Sequence, residues 1–183
     1  APDLVAALAQ VESAGDPVAR TYWRWRWSAN PLELYGPASS AVGLLQMTDA
    51  TFEQARRLCI RDHAVAREGP PGDPRACAWN ALYLRPWPGH AIELAAAWLH
   101  QSVVDVLAAE GIRRATLDRK QRLAVVIHLC GRERGAAYAR RGFWVLPGER
   151  CGDDDLAAYL ARVRDLRREF ARLAAGGGWS RRG

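Results

Sequence analysis

Two short stretches hold the residues whose types and spacing could do chemistry. The first, Ala9-Gln10-Val11-Glu12-Ser13-Ala14-Gly15-Asp16-Pro17, sets a carboxylate at the end of an apolar helical pattern. Leu8 and Val11 draw that face inward, and the C-terminus of a helix carries partial negative charge. Both effects disfavour the carboxylate, so Glu12 is expected to keep its proton towards neutral pH. A carboxyl group tuned in this way suits a general acid, for example one that protonates a glycosidic oxygen. The second stretch is Ser39-Ser40-Ala41-Val42-Gly43-Leu44-Leu45-Gln46-Met47-Thr48. There Gly43 permits a tight turn or a close backbone approach, and Gln46 offers both a donor and an acceptor. Taken alone, Glu12 reads as a helix-end carboxylate paired with Arg20 or Arg24, and Ser13 as a residue that ends the helix. His63, His90 and His100 have no ligand spacing with carboxylates or cysteines, so no metal and no cofactor is expected.

The elements that must position these residues are mostly helical. Pro2 to Val11 reads as a helix with Leu4, Val5, Leu8 and Val11 on one face, stopped by Gly15-Asp16-Pro17. Thr21 to Trp27 alternates aromatic residues with arginine, which predicts a short extended segment inside an irregular Trp/Arg-rich stretch over 21–42. Trp23, Trp25 and Trp27 in it either pack or form a wall on which sugars stack. Thr48 or Asp49 can cap a helix running to about residue 60. A Gly/Pro-rich loop over 68–74 follows, then helices over 75–85, 89–109 and 117–130, the last ended by Gly131. A final helix over 153–174 puts Leu156, Tyr159, Leu160, Val163, Leu166 and Phe170 on one stripe. The expected architecture is therefore one mostly α domain (α+β) over 1–174 with a flexible tail over 175–183. The arginines at 162, 164, 167, 168 and 172 alternate with Asp165 and Glu169, as on a solvated helix face with i,i+3 and i,i+4 pairs.

Together the two motifs, A-x-V-E-S-x-x-D-P and S-x-x-G-L-L-Q…T, resemble those of the soluble lytic transglycosylases, peptidoglycan enzymes of the lysozyme-like superfamily. The resemblance is good over 5–58 and thinner over 75–165. There Ala78-Trp79-Asn80 with Ala81 and Tyr83-Leu84 is similar to one family helix, and the segment from Asp155 to Val163 to the one bearing a cleft tyrosine. It implies a lysozyme-like fold in which Glu12 is the sole acid and base. Ser13, Gly43, Leu44, Leu45, Gln46 and Tyr159 would then bind the glycan. It further implies cleavage of the β-1,4 bond between N-acetylmuramic acid and N-acetylglucosamine, with closure of a 1,6-anhydro ring. The chain departs from the family pattern in three places: about thirty residues separate Glu12 from Gly43, Thr48 replaces a Met, and Ile127-His128-Leu129 stands where the family has Ala-Tyr-Asn. His128 is either a stand-in for that Tyr or a core histidine, and Tyr159 either lines the cleft or packs. These departures suit a divergent branch, such as one serving a secretion, conjugation or phage assembly. A two-carboxylate hydrolase of the lysozyme or chitosanase kind stays open, with Asp16, Glu33, Asp49 and Glu53 as second acids. So does an inactive glycan-binding or secretion-scaffold protein.

The 183 residues carry 26 Lys+Arg, only one of them lysine (Lys120), against 20 Asp+Glu, a formal charge of +6. With 49% hydrophobic residues this is a folded chain, not a disordered or collagenous one. The basic charge points to an acidic partner, which on the resemblance is the peptidoglycan glycan strand. No zinc-finger or aromatic RNA-binding signature supports nucleic acid. No apolar run approaches the ~20 residues of a membrane span, so none is expected. Four cysteines allow three pairings; loops of about 20 residues favour Cys59–Cys77 and Cys130–Cys151, each stabilising by ~3 kcal/mol. Disulfides in turn imply an oxidising compartment, periplasmic or secreted. The Ala1 end shows no signal-peptide pattern.

Overall fold

A computed structural model describes residues 2–19, 23–25, 35–37, 40–67, 69, 77, 80 and 82–176. In chain order the elements are α1 (Pro2–Ser13), β1 (Trp23–Trp25), β2 (Tyr35–Pro37), α2 (Asp49–Ala55), β3 (Leu58–Arg61), β4 (Ala64–Arg67), α3 (Pro88–Ala109), α4 (Leu117–Arg140), β5 (Arg150–Cys151), β6 (Asp154–Asp155) and α5 (Leu156–Gly176). The protein is mostly helical, with three small antiparallel two-stranded sheets among the described residues, β1–β2, β3–β4 and β5–β6. The chain divides into two compact units, one of Glu12–Trp98 and one of Ala1–Val11 with Leu99–Gly183.

The unit of Glu12–Trp98 is built around buried Leu45, Met47, Ala55, Leu58, Cys59, Leu94 and Trp98. Thr48 caps α2, its hydroxyl accepting from the Thr51 amide at 3.3 Å. The expected helix to residue 60 stops at Ala55, because Leu58–Arg61 turns back and pairs with Ala64–Arg67. Asp62 (φ 48°) and His63 (φ 63°) make the two-residue turn. Two successive left-handed residues are what a tight hairpin with the twist of its strands requires. The extended segment expected at Thr21 to Trp27 is β1, whose Trp25 pairs with Tyr35; Trp27 lies outside the described residues. The helix expected over 75–85 is not seen in the described part of that range. The chain there makes tight turns, the Asn80 amide donating to Cys77 O and that of Tyr83 to Asn80 O. Cys77 is tied to Cys59, and the buried Asn80 side chain donates to the Leu58 carbonyl, so both anchor the hairpin and not a helix.

The other unit buries Leu4, Leu8, Leu123, Ile127, Tyr138, Leu156, Tyr159 and Val163. Thr116 caps α4 by accepting from the Arg119 amide. Gly131 (φ 83°, ψ 169°) breaks the helical geometry where the sequence places a stop, but the chain resumes helix and reaches Arg140. The last helix starts at Leu156 and not at 153, since β5 and β6 form a hairpin pairing Arg150 with Asp155. It runs to Gly176, so Ala175 and Gly176 belong to it and not to a tail; 177–183 lie outside the described residues. The expected stripe is present, with Leu156, Tyr159 and Val163 buried. Its arginines pair differently from the expected helical spacing: Arg164 with its neighbour Asp165, Arg162 with Asp154 and Arg167 with Asp3. Cys59–Cys77 and Cys130–Cys151 are both disulfide-bonded, with Cα–Cα separations of 5.5 and 5.3 Å. By length and composition α3 could cross a membrane, a property it shares with core helices, and more than half of its apolar window is buried inside the protein.

Candidate active site at the end of α1

The two motifs meet. α1 ends as Ala14 (φ 52°) and Gly15 (φ 83°) turn left-handed and the Asp16 amide donates to Ser13 O at 2.9 Å. Glu12, in the last helical turn, is half-buried. Next to it, the Ser13 hydroxyl donates to the Leu44 carbonyl at 2.8 Å, across 31 positions of sequence. That bond fixes the end of α1 to the turn Val42–Met47, which a bridge between its first and last residues closes.

The turn is held on several sides. The Gly43 amide donates to Ala19 O at 2.9 Å. Gly43 has φ +85°, and a Cβ there would lie 2.8 Å from the Arg85 carbonyl oxygen, so only glycine fits. Leu44 and Leu45 are buried and anchor the turn in the core. Gln46, itself left-handed at φ 44°, donates through Nε2 to Gly43 O at 2.9 Å and to Ala19 O at 3.2 Å. Its amide therefore shapes the loop; the two leucines are packing groups.

Arg85 was not found by sequence reasoning. Its guanidinium donates to Ser40 O at 2.9 Å and Met47 O at 3.1 Å, pairs with Asp49 at 2.7 Å and lies 5.4 Å over the Phe52 ring. It ties the segment leading into the turn and the turn's last residue to the first residue of α2. One arginine among many in a Pro-rich loop carries no sequence signal for that role. Near it Tyr83, from the family-like segment, donates to Glu93 Oε2 at 2.8 Å and stacks on His90 at 4.0 Å. Burial first, then the hydrogen bond and charge of Glu93, raise the Tyr83 pKa against the opposing pull of Arg61.

Of the four possible second acids, Asp16 accepts from the Val18 amide at 2.9 Å, Asp49 pairs with Arg85 and Glu53 with Arg56 at 3.3 Å. Glu33 lies outside the described residues, as do Arg20, Ser39 and the Ala78-Trp79 pair. Tyr159 and His128 belong to the other unit. Tyr159 is 2% exposed, with the Arg162 guanidinium 5.7 Å over its ring, so it is placed as a core residue of α5. His128 is half-buried on α4. Among the described residues no group of three or more His, Cys, Asp or Glu gathers as a metal site would need. Compared with protein-family models, curated proteins and solved structures, the chain matches none.

Proposed function

We propose that the protein is a peptidoglycan lytic transglycosylase with Glu12 as its acid and then its base. The observation that carries this reading is the 2.8 Å hydrogen bond from Ser13 to Leu44, which joins the Glu-Ser helix end to the Gly-Leu-Leu-Gln turn. Protonated Glu12 donates to the glycosidic oxygen that leaves C1 of N-acetylmuramic acid, and the bond breaks with help from the sugar's N-acetyl oxygen. The Glu12 carboxylate then takes the C6 hydroxyl proton as that oxygen bonds to C1, closing the 1,6-anhydro ring and restoring the acid. The proton balance closes on one carboxyl group without water. A two-acid glycosidase needs a second carboxylate at about 5–9.5 Å. The engagement of Asp16, Asp49 and Glu53 in loop and ion-pair contacts favours the one-acid route.

The two disulfides fit an oxidising compartment, and we place the chain in the periplasm or outside the cell, acting on glycan strands. A role beside a secretion, conjugation or phage assembly belongs to the same proposal. Digestion of purified peptidoglycan followed by mass spectrometry of the released muropeptides tests it. Anhydro ends are expected, and Glu12→Gln should lower their release by a factor of at least about 10³. Reducing ends would replace the lyase reading with a hydrolase, and intact glycan that still binds would leave a scaffold protein.

A further inference from the structure

In the unit that contains α4 and α5, these two helices and the loop after α4 line a half-open cavity of about 560 Å³. That volume suits a small ligand. A second hollow of about 140 Å³ has Arg122 and Trp144 in common with it. Val125, Leu160 and Val163 give the larger cavity an apolar floor. Its charged walls are Arg122, Arg164, Arg167 and Arg168 against the single carboxylate of Asp118. Two of these arginines are committed, Arg164 to Asp165 at 2.9 Å and Arg167 to Asp3 at 3.0 Å. Arg122 is held by the Phe143 carbonyl at 3.3 Å and by the Tyr138 ring face at 6.0 Å. Neither Arg122 nor Arg168 has an ion pair among the described residues.

Trp144 stands at this wall 74% exposed, yet the loop that presents it is tightly built. Gly142 (φ 70°) and the bulky Phe143 (φ 68°) are both left-handed, a costly arrangement for phenylalanine. The Phe143 amide donates to Tyr138 O at 3.0 Å and its ring meets that of Tyr138 edge-on at 5.8 Å. Further along, Glu149 pairs with Arg141 at 2.8 Å and accepts from the Leu146 amide at 3.0 Å. Burial pushes the Glu149 pKa up, but the Leu146 amide and the Arg141 guanidinium outweigh it and hold the carboxyl below its ordinary range. A fixed loop that leaves a large indole in water beside arginines without a close carboxylate partner has the chemistry of a ligand platform. Guanidinium forks match carboxylate and phosphate oxygens, and an indole face packs on a ring.

We propose that this cavity binds a small ring-bearing oxyanion, a sugar carrying a carboxylate or a phosphate. Arg122 and Arg168 meet the oxyanion, and Trp144 stacks on the C–H face of the ring. The site rests on its own residues and does not depend on Glu12 being catalytic. Calorimetric titration of the full chain tests it with N-acetylmuramic acid, glucose 6-phosphate, N-acetylglucosamine and inorganic phosphate. At least one anionic sugar should bind saturably, with the neutral sugar about tenfold or more weaker. The tighter of the two anionic sugars names the oxyanion. Arg168→Gln, on an exposed residue outside the fold's ion pairs, should weaken binding about tenfold, as should Trp144→Ala, while Trp144→Phe retains it. Equal affinity for neutral and anionic sugars would overturn the proposal. So would phosphate binding indifferent to Trp144→Ala, or binding of duplex DNA with no affinity for either anionic sugar.

Discussion

At Gly43 a single hydrogen atom in place of a side chain decides whether the two motifs can meet. The residue needs φ +85°, and the Arg85 carbonyl oxygen would stand 2.8 Å from any Cβ. The left-handed region alone costs a non-glycine residue about 1–2 kcal/mol, and backbone cannot yield as a flexible side chain would. Gly43→Ala is therefore expected to destabilise by about 2 kcal/mol or more, measured by chemical denaturation. The amides of Gly43 and Gln46, which donate to Ala19 O and Gly43 O, should exchange faster in the variant. An alanine chain as stable as the parent would show that the turn is not held as described. Gly43 and Gln46, which shape the turn, and Ser13, which bonds to it, stand out in the sequence because each motif is local and its residue types are unusual where they stand. Arg85 was not legible, since its role comes from contacts with Ser40, Met47 and Asp49, some forty residues back in the chain.

At the scale of elements, the turn Val42–Met47 is a loop clamped by one cation. Arg85 reaches two carbonyls and one carboxylate with a planar fork, a geometry that an ammonium cannot reproduce. Arg85→Lys should keep part of the pairing with Asp49 and lose one carbonyl contact, and Arg85→Ala should lose all of them. On peptidoglycan we expect kcat to fall about tenfold or more in Arg85→Ala, with the lysine variant between it and the parent. Under the proposed function Arg85 is a positioning residue, so the loss should fall on kcat more than on KM, and a fall in thermal stability alone would contradict the role. The same scale explains the errors of sequence reasoning. Leu58-Cys59-Ile60 fits the end of a helix as well as a strand. What decides is the pairing with Ala64–Arg67 through the left-handed turn at Asp62 and His63, which no periodicity reports. The hairpin before α5 was hidden for a similar reason, since Asp153, Asp154 and Asp155 read as a helix start. In α5 itself the stripe of Leu156, Tyr159 and Val163 was plain, because a long amphipathic period averages over many residues.

Over the whole molecule, each of the two compact units carries one disulfide, Cys59–Cys77 in Glu12–Trp98 and Cys130–Cys151 in the other. The sequence separations are 18 and 21, so each bridge removes a similar amount of entropy from the unfolded chain. On the chain-entropy account each stabilises by about 3 kcal/mol, a large share of the 5–15 kcal/mol typical of a folded protein. Cys59 and Cys77 also tie the β3–β4 hairpin to the segment where Asn80 donates to Leu58. Replacing either pair by alanine should lower stability by about 2–4 kcal/mol, seen as a lower melting temperature than that of the oxidised parent. A reductant should reproduce the loss in the parent and leave a chain lacking all four cysteines unaffected. The bridges also fit an oxidising compartment. If the protein's stability rests on both, expression in a reducing cytosol should yield less folded chain than export to an oxidising compartment, and the two yields should converge in the cysteine-free chain. Equal yields of the native chain in both compartments would detach the fold from its disulfides, and with them the argument for a place at the cell wall.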